Sequence, residues 1–284
     1  MSDTSWNDDP SRLLRVTDGF RLAEVDPGAT PGYRDGKKSG ENDLAHGTKQ
    51  LDELQERLYA QSRVVPQSPS LLLVLQAMDT AGKGGIVRHV IGATDPQGVH
   101  LKAFKAPTEE ERAHDFLWRV EKEVPGAGYI GVFDRSHYED VLIGRVRSLA
   151  PPEEIERRYG AIVDFEKLLT DAGTRIVKVM LHISPDEQKK RLASRLDRPD
   201  KHWKYNPGDV DERKLWPDYM DAYQKVFERT STPDAPWYVV PADRKWYARL
   251  AVQTLLIDAL RDIDPQWPAA DFDVEVEKAR LAAT

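Results

Sequence analysis

Leu71-Leu72-Leu73-Val74-Leu75-Gln76-Ala77-Met78-Asp79-Thr80-Ala81-Gly82-Lys83-Gly84-Gly85 runs from an apolar stretch into a loop of small residues that contains a lysine. The apolar run reads as a buried strand, and the chain after Lys83 as a helix. Ala77-x4-Gly82-Lys83-Gly84 is close to the GxxxxGK[ST] phosphate-binding pattern. Small residues let the backbone curl so that successive N–H groups point inward, and the following helix adds its positive end. Lys83 supplies a cation for phosphoryl oxygens. Ala81, Gly82, Gly84 and Gly85, with Arg88, are expected to bind phosphate. The match departs in two places: Ala77 replaces the first Gly, and Gly84 replaces the Ser/Thr whose hydroxyl normally helps hold Mg2+. Asp79, inside the loop, offers a substitute metal ligand or base. The bland alternative is a Gly-rich strand–helix turn that binds no phosphate.

Outward from this stretch, apolar runs alternate with helical segments. The runs are Leu71–Met78, Leu101–Phe104, Tyr129–Phe133, Arg175–Ile183 and Trp237–Val240. Such alternation predicts an α/β fold, a five-stranded parallel sheet covered on both faces, with ligands beyond the C-terminal strand ends. Leu51, Leu54 and Leu58 predict an amphipathic helix before the core. Thr108-Glu109-Glu110-Glu111 and Ser184-Pro185-Asp186-Glu187 read as capping boxes. We divide the chain into an irregular arm (1–42), a core domain (43–264) and a C-terminal tail (265–284).

Tyr129-Ile130-Gly131-Val132-Phe133-Asp134-Arg135-Ser136-His137-Tyr138-Glu139-Asp140 is a second apolar strand, ending in an acid. P-loop enzymes place there the Asp that binds or orients Mg2+. Arg135 carries a rigid fork suited to phosphoryl oxygens. A helix cap is the competing role for Asp134. A third basic segment holds Arg191, Arg195 and Arg198 at i, i+4 and i+7, then Lys201, Trp203, Lys204 and Tyr205. This reads as a lid over reacting phosphates, about 187–212. An ordinary basic helix face is the alternative.

The formal net charge of −7 argues at first against an anionic substrate. Its distribution argues the other way. Residues 1–60 are net −4, residues 261–284 net −3, and the middle sums to zero. Within that middle, Gly82–Lys105 and Asp186–Lys204 are each net +3. Local basic concentrations in a neutral core suit one polyanion site, not nucleic-acid binding all over. The absence of Cys excludes disulfides and thiolate metal sites. No signal peptide or membrane-spanning run is seen, so no membrane association and a cytoplasmic location are expected.

These residues resemble the polyphosphate kinase 2 family. The likeness rests on Gln76–Gly85 paired with Phe133-Asp134-Arg135-Ser136, and on Phe104–Thr108, Phe116–Arg119, Asp197–Lys204 and Pro241–Tyr247. It covers roughly residues 30–262. It implies a thymidylate-kinase-like P-loop fold with a helical lid. It also implies Mg2+-dependent phosphoryl transfer between inorganic polyphosphate and a nucleotide of the ADP/AMP or GDP/GMP type. By that resemblance Asp79 and Asp134 hold Mg2+ or the accepting phosphate, Lys83 and Arg135 bind phosphoryl oxygens, and Arg195 and Arg198 lie on the lid. Lys102 and Lys105 are assigned to polyphosphate or acceptor contacts, and Arg119 and His137 to the nucleotide. Ser136–Leu142 looks closer to members that accept monophosphates as well as diphosphates. A homo-oligomer is compatible with the family. The competing functions are an ATP-dependent nucleoside monophosphate kinase and a P-loop regulatory protein that hydrolyses NTP slowly.

Overall fold

The computed structural model describes residues 6–284. Five strands form one parallel sheet: β1 (Ser70–Ala77), β2 (Val99–Ala103), β3 (Ile130–Asp134), β4 (Thr174–His182) and β5 (Trp237–Pro241). Their order is β2-β3-β1-β4-β5. β1 is buried along its whole length, which is why its sequence is a continuous apolar run instead of an alternation. Each expected run became a strand, with bounds shifted by at most two residues. The chain leaves β1 for one side of the sheet and later crosses to the other. The C-terminal end of β1 is therefore a switch point, where parallel sheets open a crevice.

Helix α1 (Lys37–Ser62), short helix α2 (Lys83–His89) and helix α6 (Lys245–Ile263) cover one face. Helices α3 (Pro152–Asp171) and α5 (Trp216–Thr230) cover the other. Helix α4 (Pro185–Leu196) stands at the C-terminal edge of the sheet. On α1, Leu51 and Leu58 are fully buried and Leu54 packs on the core. The same helix brings Gly40 against the Trp246 ring and Gly47 against the Gln253 amide. Side chains at these two positions would hold α1 and α6 apart.

Both predicted helix starts exist. Thr108 forms a full reciprocal box with Glu111. Ser184 caps the Glu187 N–H, but its own N–H goes to Asp243 Oδ1 at 2.8 Å. Glu187 is drawn instead to Arg191, 2.8 Å away. In the arm, Val16 N donates to Trp237 O (2.8 Å) and Val239 N to Leu14 O (2.9 Å), so residues 14–16 run antiparallel beside β5. The tail carries a nine-residue helix, Val274–Ala282, with no buried residue. Among the described residues no helix is long and apolar enough to cross a membrane.

One ion pair lies inside the core. Lys178 on β4, fully buried, donates to Glu166 Oε2 (2.5 Å), Thr230 O (2.7 Å) and Tyr138 Oη (3.0 Å). Burial pulls Lys178 below the usual lysine range. Burial works to raise Glu166, but Lys178 and then His137 outweigh it and hold the carboxyl low. The pair ties β4, α3, α5 and the turn after β3 to one point.

Candidate active site

The loop after β1 curls back on itself before α2 begins. Thr80 (φ 64°) and Gly82 (φ 128°) have left-handed backbones. At Gly82 only glycine adopts such a conformation without strain; for Thr80 the cost is on the order of 1–3 kcal/mol, as strained residues at functional sites tend to be. Arg135, just past β3, shows the same feature (φ 64°). Parallel pairing sets Asp134 opposite Leu75, and Arg135 N donates to Leu75 O at 3.0 Å. Register alone thus brings the end of β3 beside the loop after β1. Arg135 then reaches Asp79 Oδ1 at 2.8 Å.

The loop, the start of α6 and the segment carrying Arg195, Lys201 and Lys204 line a cavity of about 560 Å³. Its carboxylates are Asp79 and Asp134. Its cations are Lys83, Arg88, Lys105, Arg135, Arg195, Lys201, Lys204, Lys245 and Arg249. Nine cations against two carboxylates, in a chain of net charge −7, make this a focused anion site. Lys83 Nζ donates to Ala77 O at 3.1 Å, folding the side chain across the loop. Burial, and then the Arg135 charge, pull Lys83 below the ordinary lysine range, against Asp134 and Asp79. Burial tends to lower Arg135 too, but Glu139, Asp79 and Asp134 outweigh it and hold the guanidinium charged.

Ser136, not Asp134, caps the turn His137–Asp140, accepting from Tyr138 N. The cap explanation for Asp134 is thereby withdrawn, and its carboxylate faces the cavity. An added Cβ at Gly84 would meet nothing within 4 Å. Packing therefore does not explain the missing hydroxyl. The loop's Ala81, Gly82, Gly84 and Gly85, with Arg88, all line the cavity, as do Lys105 and Arg195.

Four expected site residues are elsewhere. Lys102 pairs with Glu123 instead of facing the cavity. Arg119 is buried, and donates to Lys105 O at 2.8 Å while facing Glu111 and Asp140. It shapes the loop that presents Lys105. His137 is fully buried against Phe165 and lies 3.5 Å from Glu166. Arg198 lies beyond the end of α4 at Leu196, with extended backbone, because Pro199 disfavours helix at the residue before it. It forks onto Asp200 at 3.0 and 3.1 Å.

The structure adds residues that the sequence did not single out for the site. Lys245 and Arg249 come from the first turns of α6; Lys245 lies within the Pro241–Tyr247 motif, and Arg249 just beyond it carried no signal. Asp209, nearly buried, faces Arg195 at 3.5 Å. Burial, then Asp79, raise its carboxyl, against Arg195, Arg135 and Lys83. Burial likewise raises Glu139, opposed by Arg135 and Lys83.

The chain matches known proteins over most of its length. A family model described as polyphosphate kinase 2 matches residues 37–268. The AMP/ADP-polyphosphate phosphotransferase of Meiothermus ruber is 44% identical over 249 residues, covering 88% of this chain and 91% of that protein. The ADP-polyphosphate phosphotransferase of Rhodopseudomonas palustris is 42% identical over 276 residues, 91% of this chain and 92% of the other. The crystal structure of polyphosphate kinase 2 from Arthrobacter aurescens superposes with a TM-score of 0.96 at 60% identity, covering all of both chains.

Proposed function

The chain belongs to the polyphosphate kinase 2 family, and from that premise we propose that it moves a phosphoryl group between inorganic polyphosphate and a nucleoside mono- or diphosphate. The supporting observation is the cavity with nine cations and two carboxylates at the end of β1. So dense a basic lining suits a chain of phosphates better than a single terminal group. The acceptor is a nucleotide of the ADP/AMP type, with GDP/GMP also within the proposal.

Asp79 and Asp134 are two oxygen donors with no imidazole or thiolate beside them in the cavity wall except His89 on α2. Mg2+ takes one or two carboxylates together with substrate phosphates, so these residues fit it. When bound, Mg2+ would neutralise phosphoryl charge. The chain's own part is positional. Lys83 and Arg135 hold phosphoryl oxygens across the reacting centre, and the loop N–H groups cradle them. Arg195, Lys201 and Lys204 close from the lid, about 187–212, and exclude water that would otherwise hydrolyse the donor. The acceptor is itself a phosphate anion, so no general base is required at the reacting oxygen. The catalytic unit in this reading is 43–264. A cytoplasmic location, no membrane or nucleic-acid partner and a homo-oligomeric state complete it.

The test supplies purified protein with Mg2+, polyphosphate and either ADP or AMP, and follows the phosphorylated nucleotide. Product is expected with both acceptors. If none forms, while ATP phosphorylates a monophosphate, the polyphosphate reading is refuted.

A further inference from the structure

Arg191 belongs to the basic run that reads as a lid, yet its guanidinium is buried and fully engaged. Nε donates to Glu187 Oε1 (2.8 Å). Nη1 donates to Thr80 O (3.2 Å) and Ala81 O (2.6 Å), and Nη2 to Ala242 O (2.6 Å) and Asp243 O (3.0 Å). Arginine has five N–H donors, and five acceptors are present. None remains for a phosphate. One turn earlier on α4, Gln188 Nε2 donates to Asp79 O at 2.9 Å. Gln188 Oε1 in turn accepts from Arg213 Nη1 at 2.6 Å.

Asp79, Thr80 and Ala81 are three consecutive carbonyls of the phosphate loop, and α4 holds all of them from outside. In a planar trans peptide the N–H points opposite to the C=O. Fixing Asp79 O fixes the Thr80 N–H, and fixing Ala81 O fixes the Gly82 N–H. Thr80 and Gly82 both line the cavity. The Ala81 N–H is itself committed to Met78 O at 3.2 Å.

We infer that Arg191 and Gln188 are positioning residues that preorganise the loop amides for the transferring phosphoryl group. They act through the backbone and touch no substrate. The inference rests on the phosphoryl-transfer reading above, and adds that the first two turns of α4 belong to the loop's scaffold and not to the moving lid. A planar fork spans two carbonyls on each side; an ammonium is a point charge and does not. Arg191→Lys is therefore expected to behave like Arg191→Met.

The experiment measures kcat and KM for polyphosphate in Arg191→Lys, Arg191→Met and Gln188→Leu, per folded molecule, with ADP as acceptor. Both Arg191 variants should lose about a hundredfold in kcat, the scale for a lost preorganised donor set, with KM little changed. Gln188→Leu, which removes one hydrogen bond to the loop and the one from Arg213, should lose about tenfold. A raised KM with kcat kept, or rescue by Lys, would make Arg191 a phosphate ligand and overturn the inference. Normal kcat per folded molecule would reduce both residues to structural ones. If the Arg191 variants fail to fold, Gln188→Leu decides alone, and wild-type kcat there overturns the inference. If the wild-type chain takes ATP and not polyphosphate, the donor reading falls, and the same split is read with ATP.

Discussion

Gly47→Ala tests how closely α1 and α6 are packed. An added Cβ would lie 2.8 Å from Gln253 Cδ and closer still to its Oε1. Gln253 is 1% exposed and cannot swing into solvent. Its Nε2 donates to Leu44 O at 3.1 Å and Thr48 Oγ1 at 3.3 Å. Moving the amide leaves a buried polar group unsatisfied, at about 1–3 kcal/mol. The extra methyl in a filled interface adds about 1–3 kcal/mol of strain. Alanine's better helix propensity returns about 1 kcal/mol. The net expectation is a loss of about 3 kcal/mol, read by urea denaturation. Gly160→Ala on α3 is the internal control, because a Cβ there meets nothing within 4 Å. It should gain about 0.5–1 kcal/mol from reduced unfolded-chain freedom. A Gly47→Ala protein as stable as wild type would refute the packing argument. So would an equal loss at Gly160.

Three further outcomes are expected. Lys83→Ala and Asp134→Ala should each lower turnover by about two orders of magnitude or more; wild-type turnover in Asp134→Ala would remove that carboxylate from the chemistry. Lys178→Met and Glu166→Leu should each cost about 3–5 kcal/mol in denaturant unfolding, since each strands a buried charge. The double variant should cost less than either, and a sum of the two losses would contradict the pairing. Glu139 has its folded-state pKa raised, chiefly by burial. Its contribution to stability is thus fully present below the unfolded value of about 4.3 and is lost as pH rises through the folded value. Glu139→Gln should therefore raise Tm at neutral pH and give no gain near pH 4; a gain confined to low pH would reverse the sign and defeat the argument.

The fold was legible because its signals are local. Four strands, β1, β3, β4 and β5, are buried along most of their length and read as apolar runs, while the edge strand β2 is half exposed; the helix starts carry Thr108 and Ser184 as caps. Asp79, Lys83, Asp134 and Arg135 were legible because strand ends in a parallel sheet share one edge. What escaped depends on direction, which spacing does not encode. His137 sits next to a site strand yet turns inward to Phe165 and Glu166. Arg191 shares a helix with Arg195, yet only Arg195 lines the cavity. Lys245 and Arg249 arrive from the far side of the chain, and nothing local to the phosphate loop announces them. Asp209 escaped because an acid followed closely by Asp211 and Glu212 in a polar stretch looks like any solvated one.

The short stretch Leu14–Val16 beside β5 has a consequence for how molecules of this protein meet. An unpaired outer strand is a template for strand addition by another copy, and so for aggregation. Here the chain's own N-terminal arm occupies that position on β5. The opposite border, β2, carries His100 and Lys102, both engaged by Glu123, and charge at such a border discourages pairing. With one border filled and the other charged, edge-to-edge strand addition is disfavoured at both ends of the sheet.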